Sequence, residues 1–154
     1  MRKIPTMPTD WTQFESLRDL EQWMRAHGIE GTAMEYARKH IPLESVYQRA
    51  ILAYLRTELP KRGYYVAVVK LAAGPYMTTG WPDVHALIRP AKAIRGWPLY
   101  LEVKRPLLGE ATPGQLARIE EIRRAGGIAA VVRGVPDVKR LLVDHGILDE
   151  EEVR

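Results

Sequence analysis

Two short stretches, Gly80-Trp81-Pro82-Asp83 and Tyr100-Leu101-Glu102-Val103-Lys104, hold the residues whose types and spacing could do chemistry. The second lies in a run from Pro98 to Pro106 that alternates, setting Leu99, Leu101 and Val103 on one face and Tyr100, Glu102 and Lys104 on the other. The flanking prolines bound a strand. Asp83 opens another alternating run, with His85 and Leu87 on its own side. If these strands pair, Asp83 and Glu102 sit together beside Lys104. Carboxylates so close repel one another, and one of them keeps a proton unless a cation joins the pair. Oxygen ligands at a strand end suit a hard divalent ion such as magnesium. Taken alone, a Glu-x-Lys pair reads first as two solvated side chains on a half-exposed strand.

The elements that must position these residues are legible on both sides of them. Ile41-Pro42 introduces a helix over about 43–59, closed by Pro60 and Gly63, whose spacing lines Glu44, Gln48, Ile51 and Leu55 along one stripe. A glutamate in a first turn also suits the positive helix end and needs no further role. A Val- and Tyr-rich strand is predicted over 64–71, then a loop of small residues over 72–80. Strands at about 83–89 and 98–105 follow, joined by a basic turn with Lys92 and Arg95. Thr112 caps a helix to about Arg124, with Pro113 in its first turn and Leu116, Ile119 and Ile122 facing inward. Gly126-Gly127 ends it, and the continuously apolar run from Ile128 to Arg133 reads as a buried strand. A last helix starts at Pro136, and the acidic stretch 149–152 is expected to fray.

Ahead of all this, residues 1–15 show no periodicity and read as an arm or loop. Ser16 caps a helix ending near His27, and Thr32-Ala33-Met34-Glu35 is a capping-box pattern for a second short one. The expected division is a helical extension over 1–41 and a main domain over 42–154. The extension is either a packing appendage or a DNA-contacting or dimer-building arm.

Composition narrows the chemistry. With 154 residues, one core is expected. The absence of cysteine excludes disulfides and thiolate metal sites, leaving oxygen or imidazole ligands. The net charge of +4 is a modest excess that suits a nucleic-acid partner. Met1-Arg2-Lys3-Ile4-Pro5 lacks the apolar run of a signal peptide, and no stretch approaches membrane-spanning length, so a cytoplasmic location without a membrane partner is expected.

Gly-x-Pro-Asp, x-Glu-Val-Lys, Gln115 within Thr112-Pro113-Gly114-Gln115, and the strand ending at Arg133 occur in an order that resembles the VRR-NUC family of PD-(D/E)xK nucleases. The resemblance covers residues 44–142 and includes Glu44 and Gln48. It implies a restriction-endonuclease-like αβββαβ core with a mixed four-stranded sheet flanked by helices. It also implies metal-dependent hydrolysis of DNA phosphodiesters, on branched DNA such as four-way junctions, by a homodimer using Mg2+ or Mn2+. The implied catalytic set is Glu44, Asp83, Glu102, Lys104 and Gln115, with the metal on Asp83, Glu102, the carbonyl of Val103 and, through water or as a second ion, Glu44.

In that scheme Lys104 is a cation that orients water or shields phosphate, since an ordinary lysine is not a base at neutral pH. Gln115 would position a lysine, a water or a phosphate oxygen; without the resemblance it is a solvated helix-start side chain. Lys70, Arg105, Arg123 and Arg124 are candidate phosphate contacts, with Arg118, Lys92 and Arg95 beside them. Trp81 either packs over the motif or stacks on an exposed base, and His85 reads as a packed or surface residue. The rival readings are another PD-(D/E)xK repair or restriction-type nuclease, and a DNA-binding module that kept the fold without the catalysis.

Overall fold

The computed structural model describes residues 7–71 and 80–153, so most of the loop expected over 72–80 and the first residues of the expected arm lie outside the described residues. The elements are α1 (Leu17–Ala26), α2 (Ala33–His40), α3 (Glu44–Ala53), α4 (Leu59–Lys61), β1 (Tyr64–Lys70), β2 (Val84–Pro90), β3 (Trp97–Val103), α5 (Pro113–Arg124), β4 (Ile128–Val132) and α6 (Val135–Asp144). The strands lie in the order β1-β2-β3-β4, antiparallel at the first two pairings and parallel at the last. This is an α/β fold with a mixed four-stranded sheet flanked by helices, in the αβββαβ order that the resemblance implied. The parallel step requires a crossover, and α5 makes it.

Alternation divides the sheet between two layers. Val84, Ala86 and Ile88 of β2 join Leu99, Leu101 and Val103 of β3 against Ile51, Leu55 and Leu59, with Val138 and Leu142 of α6 completing that core. On the other face Ile119 and Ile122 of α5 meet Ala129, with Trp81, Tyr100 and Val131 packed around them. Leu116, expected inward, is instead 51% exposed. The reason is rotational: Gln115 and Arg118 both reach toward the strands, which turns the next residue outward.

The helix expected over 43–59 is longer and not uniform. Between α3 and α4 residues Tyr54–Glu58 form a π-helical turn, and the chain stays helical through Pro60 to Lys61. Proline lacks the N–H and crowds the carbonyl four residues back; a widened turn just before it relieves that clash. Gly63, at φ +92°, makes the exit.

Two further expectations are corrected. Trp11 and Phe14, read as part of an unstructured arm, are buried with Leu20, Met24, Ala33, Ala37 and Ile41 in a second cluster. The pair sits around a short 3-10 turn, Trp11–Gln13, capped by Asp10. The acidic stretch after α6 is docked rather than frayed: Tyr64 Oη donates to Glu152 Oε2 at 3.0 Å, Arg62 donates to the Glu152 carbonyl, and Arg140 pairs with Glu150. The capping boxes differ as well. Ser16–Asp19 and Thr112–Gln115 close reciprocally, whereas at Thr32 only the bond from Glu35 N to its side chain is made among the described residues.

The two clusters are joined through Tyr47, which packs against both, and through Arg105. The guanidinium of Arg105 donates from Nε to the Pro42 carbonyl at 2.9 Å and from Nη2 to the carbonyls of Arg38 and Ile41. These are acceptors at and beyond the C-terminal end of α2, where a fixed cation is favoured by the helix dipole as well. Arg105→Ala is expected to lower stability by about 2–3 kcal/mol, the range for lost bonds to a charged donor. Thermal unfolding with limited proteolysis checks it: cleavage should begin in residues 7–41 before the sheet is touched, and an unchanged melting temperature would disprove the clamp.

Candidate functional site

Asp83 stands just ahead of β2 and Glu102–Val103 close β3, so the antiparallel register that pairs Val84 with Leu101 brings them to one end of the sheet. This is also the end at which β3 and β4 finish in parallel, outside the carboxyl ends of strands, where α/β folds commonly place sites. The turn before Asp83 is held tightly. Gly80 has φ +87°, and a Cβ there would lie 3.2 Å from the Gly114 carbonyl oxygen. The Asp83 turn and the start of α5 therefore approach as closely as backbone can, and only glycine fits. Pro82, buried, stiffens the entry into β2.

Asp83 Oδ2 accepts from the backbone N–H of Val103 at 3.2 Å and from Gln48 Nε2 at 3.4 Å. Its carboxylate is thus fixed by β3 beside it and by α3 above it. The stripe expected on α3 runs as predicted, from fully buried Leu55 and Ile51 to half-buried Gln48 and Glu44 at the site. Gln115 serves the second carboxylate. Its Oε1 accepts from Thr112 N at 2.9 Å to complete the capping box, while its Nε2 donates to Glu102 Oε1 at 2.9 Å. It orients a carboxylate, and does not lie solvated at the helix start.

Among the described residues Glu102 is the one charged side chain that is buried, 1% exposed. Lys104 Nζ lies 3.4 Å from the same Oε1, and Glu102 Oε2 has no hydrogen-bond partner among the described residues. Burial, the charge of Asp83 and, more weakly, that of Glu44 push its carboxyl up to about 7, against the opposing effect of Lys104. A buried, unpartnered carboxylate oxygen beside a second carboxylate is a donor set that fits a hard divalent cation. Among the described residues no group of three or more Asp, Glu, His or Cys side chains is gathered for a metal. Any ion here would rest on two carboxylates, with main-chain oxygen such as that of Val103 and water supplying the rest. Glu44 acts on Glu102 through its field, and no hydrogen bond joins the two.

The basic residues separate into two groups. Arg105 is committed to the carbonyls around α2, and Arg123 Nε donates to the Ala129 carbonyl at 2.8 Å, tying α5 to β4. Both were expected to contact phosphate; both have structural work that their spacing gave no sign of. Lys70, Lys92 and Arg95 are exposed, and Arg124 pairs with Glu120 on its own helix. His85 packs against Trp81 and Tyr100, its pKa lowered by burial against a backbone hydrogen bond at Pro82, and its Nε2 has no partner among the described residues. A residue not singled out in the sequence is Arg133. Its Nη1 donates to the carbonyls of Arg105 and Gly109 at 2.8 and 2.6 Å, holding the loop that follows Lys104. Its place at the end of the last strand was visible, but its acceptors were not.

No protein-family model matches the chain, and no curated protein matches it. Among solved structures it is similar to one described as a VRR_NUC domain, with a TM-score of 0.46 and 24% identity, covering 68% of this chain and 98% of that one.

The raised carboxyl of Glu102 makes stability depend on pH. Its ordinary value is 4.5 and its folded value about 7, so across that window the folded protein holds a proton that the unfolded chain has released. Stability is greatest below the window and is lost as pH rises through it, by an amount on the order of 3 kcal/mol. The metal-free protein is expected to melt higher near pH 6 than near pH 8, relative to Glu102→Gln, in which this slope disappears. Mn2+ should raise the melting temperature most at the alkaline end, where no proton competes for the carboxylate. Scanning fluorimetry of both proteins checks it; parallel pH profiles would mean that Glu102 ionises freely.

Proposed function

We propose that this chain is a metal-dependent endonuclease that hydrolyses DNA phosphodiester bonds at the Asp83–Glu102 end of the sheet. The observation that carries the reading is the buried Glu102 carboxylate, oriented by Gln115, unpartnered at Oε2 and set beside Asp83 and Lys104. A protein gains nothing structurally by burying an unsatisfied carboxylate next to another. It gains a site for a cation. A bound Mg2+ or Mn2+ supplies a water of lowered pKa and neutralises charge on the phosphate. Asp83 and Glu102 would hold it, with the carbonyl of Val103. Gln48 and Gln115 keep the two carboxylates aimed, as outer partners of metal ligands do. The Lys104 ammonium, whose side chain is 15% exposed and which lies 3.4 Å from Glu102, would meet a phosphate oxygen and orient the attacking water.

The modest positive charge supports DNA as the partner, and exposed Lys70, Lys92, Arg95 and Arg124 are candidates for its backbone. By the resemblance, the substrate is branched, with four-way junctions the leading form, and the enzyme is a homodimer that offers one site to each of two equivalent strands. Cleavage of linear, flapped and four-way DNA with and without Mg2+ or Mn2+, beside light scattering of the free and bound protein, tests both. Equal cutting of linear duplex, or a monomer in both states, would remove these finer assignments.

The reading itself rests on single-residue changes. Glu102→Gln and Asp83→Asn should each abolish cleavage, and the double variant should be little worse than either, because both losses fall on one ion. Gln115→Ala should cost about 10–100-fold, as changes to such outer partners do. Lys104→Ala should slow turnover while leaving Mn2+ affinity by calorimetry intact. DNA binding should survive all four. Near-normal cutting by Glu102→Gln would overturn the nuclease assignment, and binding without any cutting by the unmodified protein would make the chain a binding module.

A further inference from the structure

Next along the sheet from the carboxylates, on the same face, is a cleft of ≈ 190 Å³ between the second half of α5 and the first half of β3. Its walls are Trp81, Tyr100, Pro98 and Ile122, with Glu121 at its rim and Gly127 below. The proposed hydrolysis makes no use of it. We propose that this cleft receives one unpaired nucleobase of the strand being cut, next to the scissile phosphate; the proposal rests on the nuclease reading above.

Position is the first argument. Trp81 is two residues before Asp83, and Tyr100 is two before Glu102 on the same face of β3. Two residues along β3 span roughly 7 Å, so the near edge of the cleft, at Tyr100, is within one nucleotide's reach of Glu102, and Pro98 lies on its far side. Shape and chemistry are the second. The Trp81 and Tyr100 rings stand 6.2 Å apart at 49°, forming an angled aromatic wall. A cavity of this size takes one heteroaromatic ring system and excludes a folded segment of another protein.

Order is the third argument. The Arg118 guanidinium lies 4.8 Å from the Trp81 ring centre, and its Nη1 is 2.7 Å from Glu121 Oε2. Trp81 is thus held in place by a cation that is itself held, and a fixed aromatic surface loses little freedom when a base stacks on it. Glu121 is an acceptor only, which suits the exocyclic amine of adenine, cytosine or guanine and not thymine. Gly127 admits no side chain: a Cβ there would lie 2.7 Å from Ile122 Cγ2 and 3.2 Å from Tyr100 Cε2. The consequence is a physical source of structure selectivity. A base must leave its stack to enter the cleft, and that is easiest where pairing is already interrupted.

The test uses short single-stranded oligonucleotides with 2-aminopurine moved one position at a time, bound to the unmodified protein in Ca2+. Alongside it runs single-turnover cleavage in Mg2+ of a flapped duplex with an abasic residue moved in the same way. We expect quenching confined to one position adjacent to the cut, and slower cleavage when that position is abasic. Trp81→Leu should weaken oligonucleotide binding about tenfold or more, the size of one lost base stack, and should lose its sensitivity to the abasic residue. Flat quenching and flat abasic profiles with the unmodified protein would overturn the cleft assignment, and they do not depend on any variant folding. If Glu102→Gln still blocks cutting in that case, the nuclease reading stands without the cleft.

Discussion

The arrangement of this molecule depends on keeping one carboxylate out of water. Glu102 sits on a strand whose other face is core, at an end of the sheet covered by helices on both sides. Its ionised form is disfavoured by burial first and by Asp83 second, and Lys104 only partly offsets them. A lone buried charge of this kind is eliminated in most proteins by neutralisation or replacement. Here the neighbouring groups keep it in place. Gln115 fixes one oxygen, Arg133 and Gly109 hold the loop beyond Lys104, and the Gly80–Gly114 approach prevents the Asp83 turn from moving away.

The two layers contribute differently to that end of the sheet. α3 brings a gradient along one stripe, apolar at Leu55 and Ile51 and polar at Gln48 and Glu44, so the packing that anchors the helix also sets how far its polar end projects. The π-helical turn at Tyr54–Glu58 lies at the opposite end of this helix, so the irregularity that Pro60 imposes is absorbed away from the carboxylates. α5 is anchored by Ile119, Ile122 and the Arg123 bond to β4. Its inward face is partly polar, and this is why Leu116 is turned to solvent.

What could be read from residues alone were the patterns carried by short spacing: the alternation around Glu102, the stripe from Glu44 to Leu55, and the Thr112–Gln115 cap. Each depends on neighbours within a few positions, and each element formed where its pattern placed it. What those patterns left out shares a cause. Arg105 and Arg123 look like free cations in sequence because their acceptors are main-chain carbonyls, and carbonyls leave no mark in residue types. Arg105 reaches 63 residues back to Pro42. Trp11 and Phe14 lacked periodicity because a 3-10 turn and loop, not a regular helix, bury them. Glu152 was read by its charge, while the hydroxyl of Tyr64 that receives it lies 88 positions away.

Gln115 shows how the site and the fold constrain the same side chain. For the capping box alone, position three of the helix accepts glutamate or glutamine, since either offers an oxygen to the Thr112 N–H. Glutamate would also suit the positive end of the helix dipole. The site reverses that preference. The atom facing Glu102 must donate, and a carboxylate there would bring a third negative charge against a buried one whose Oε2 is already without a partner. The amide satisfies both: its oxygen faces the cap, its nitrogen faces Glu102, and these two bonds together assign its orientation. A residue that reads as a routine helix start is therefore the point at which the stability of α5 and the geometry of the carboxylate pair become one requirement.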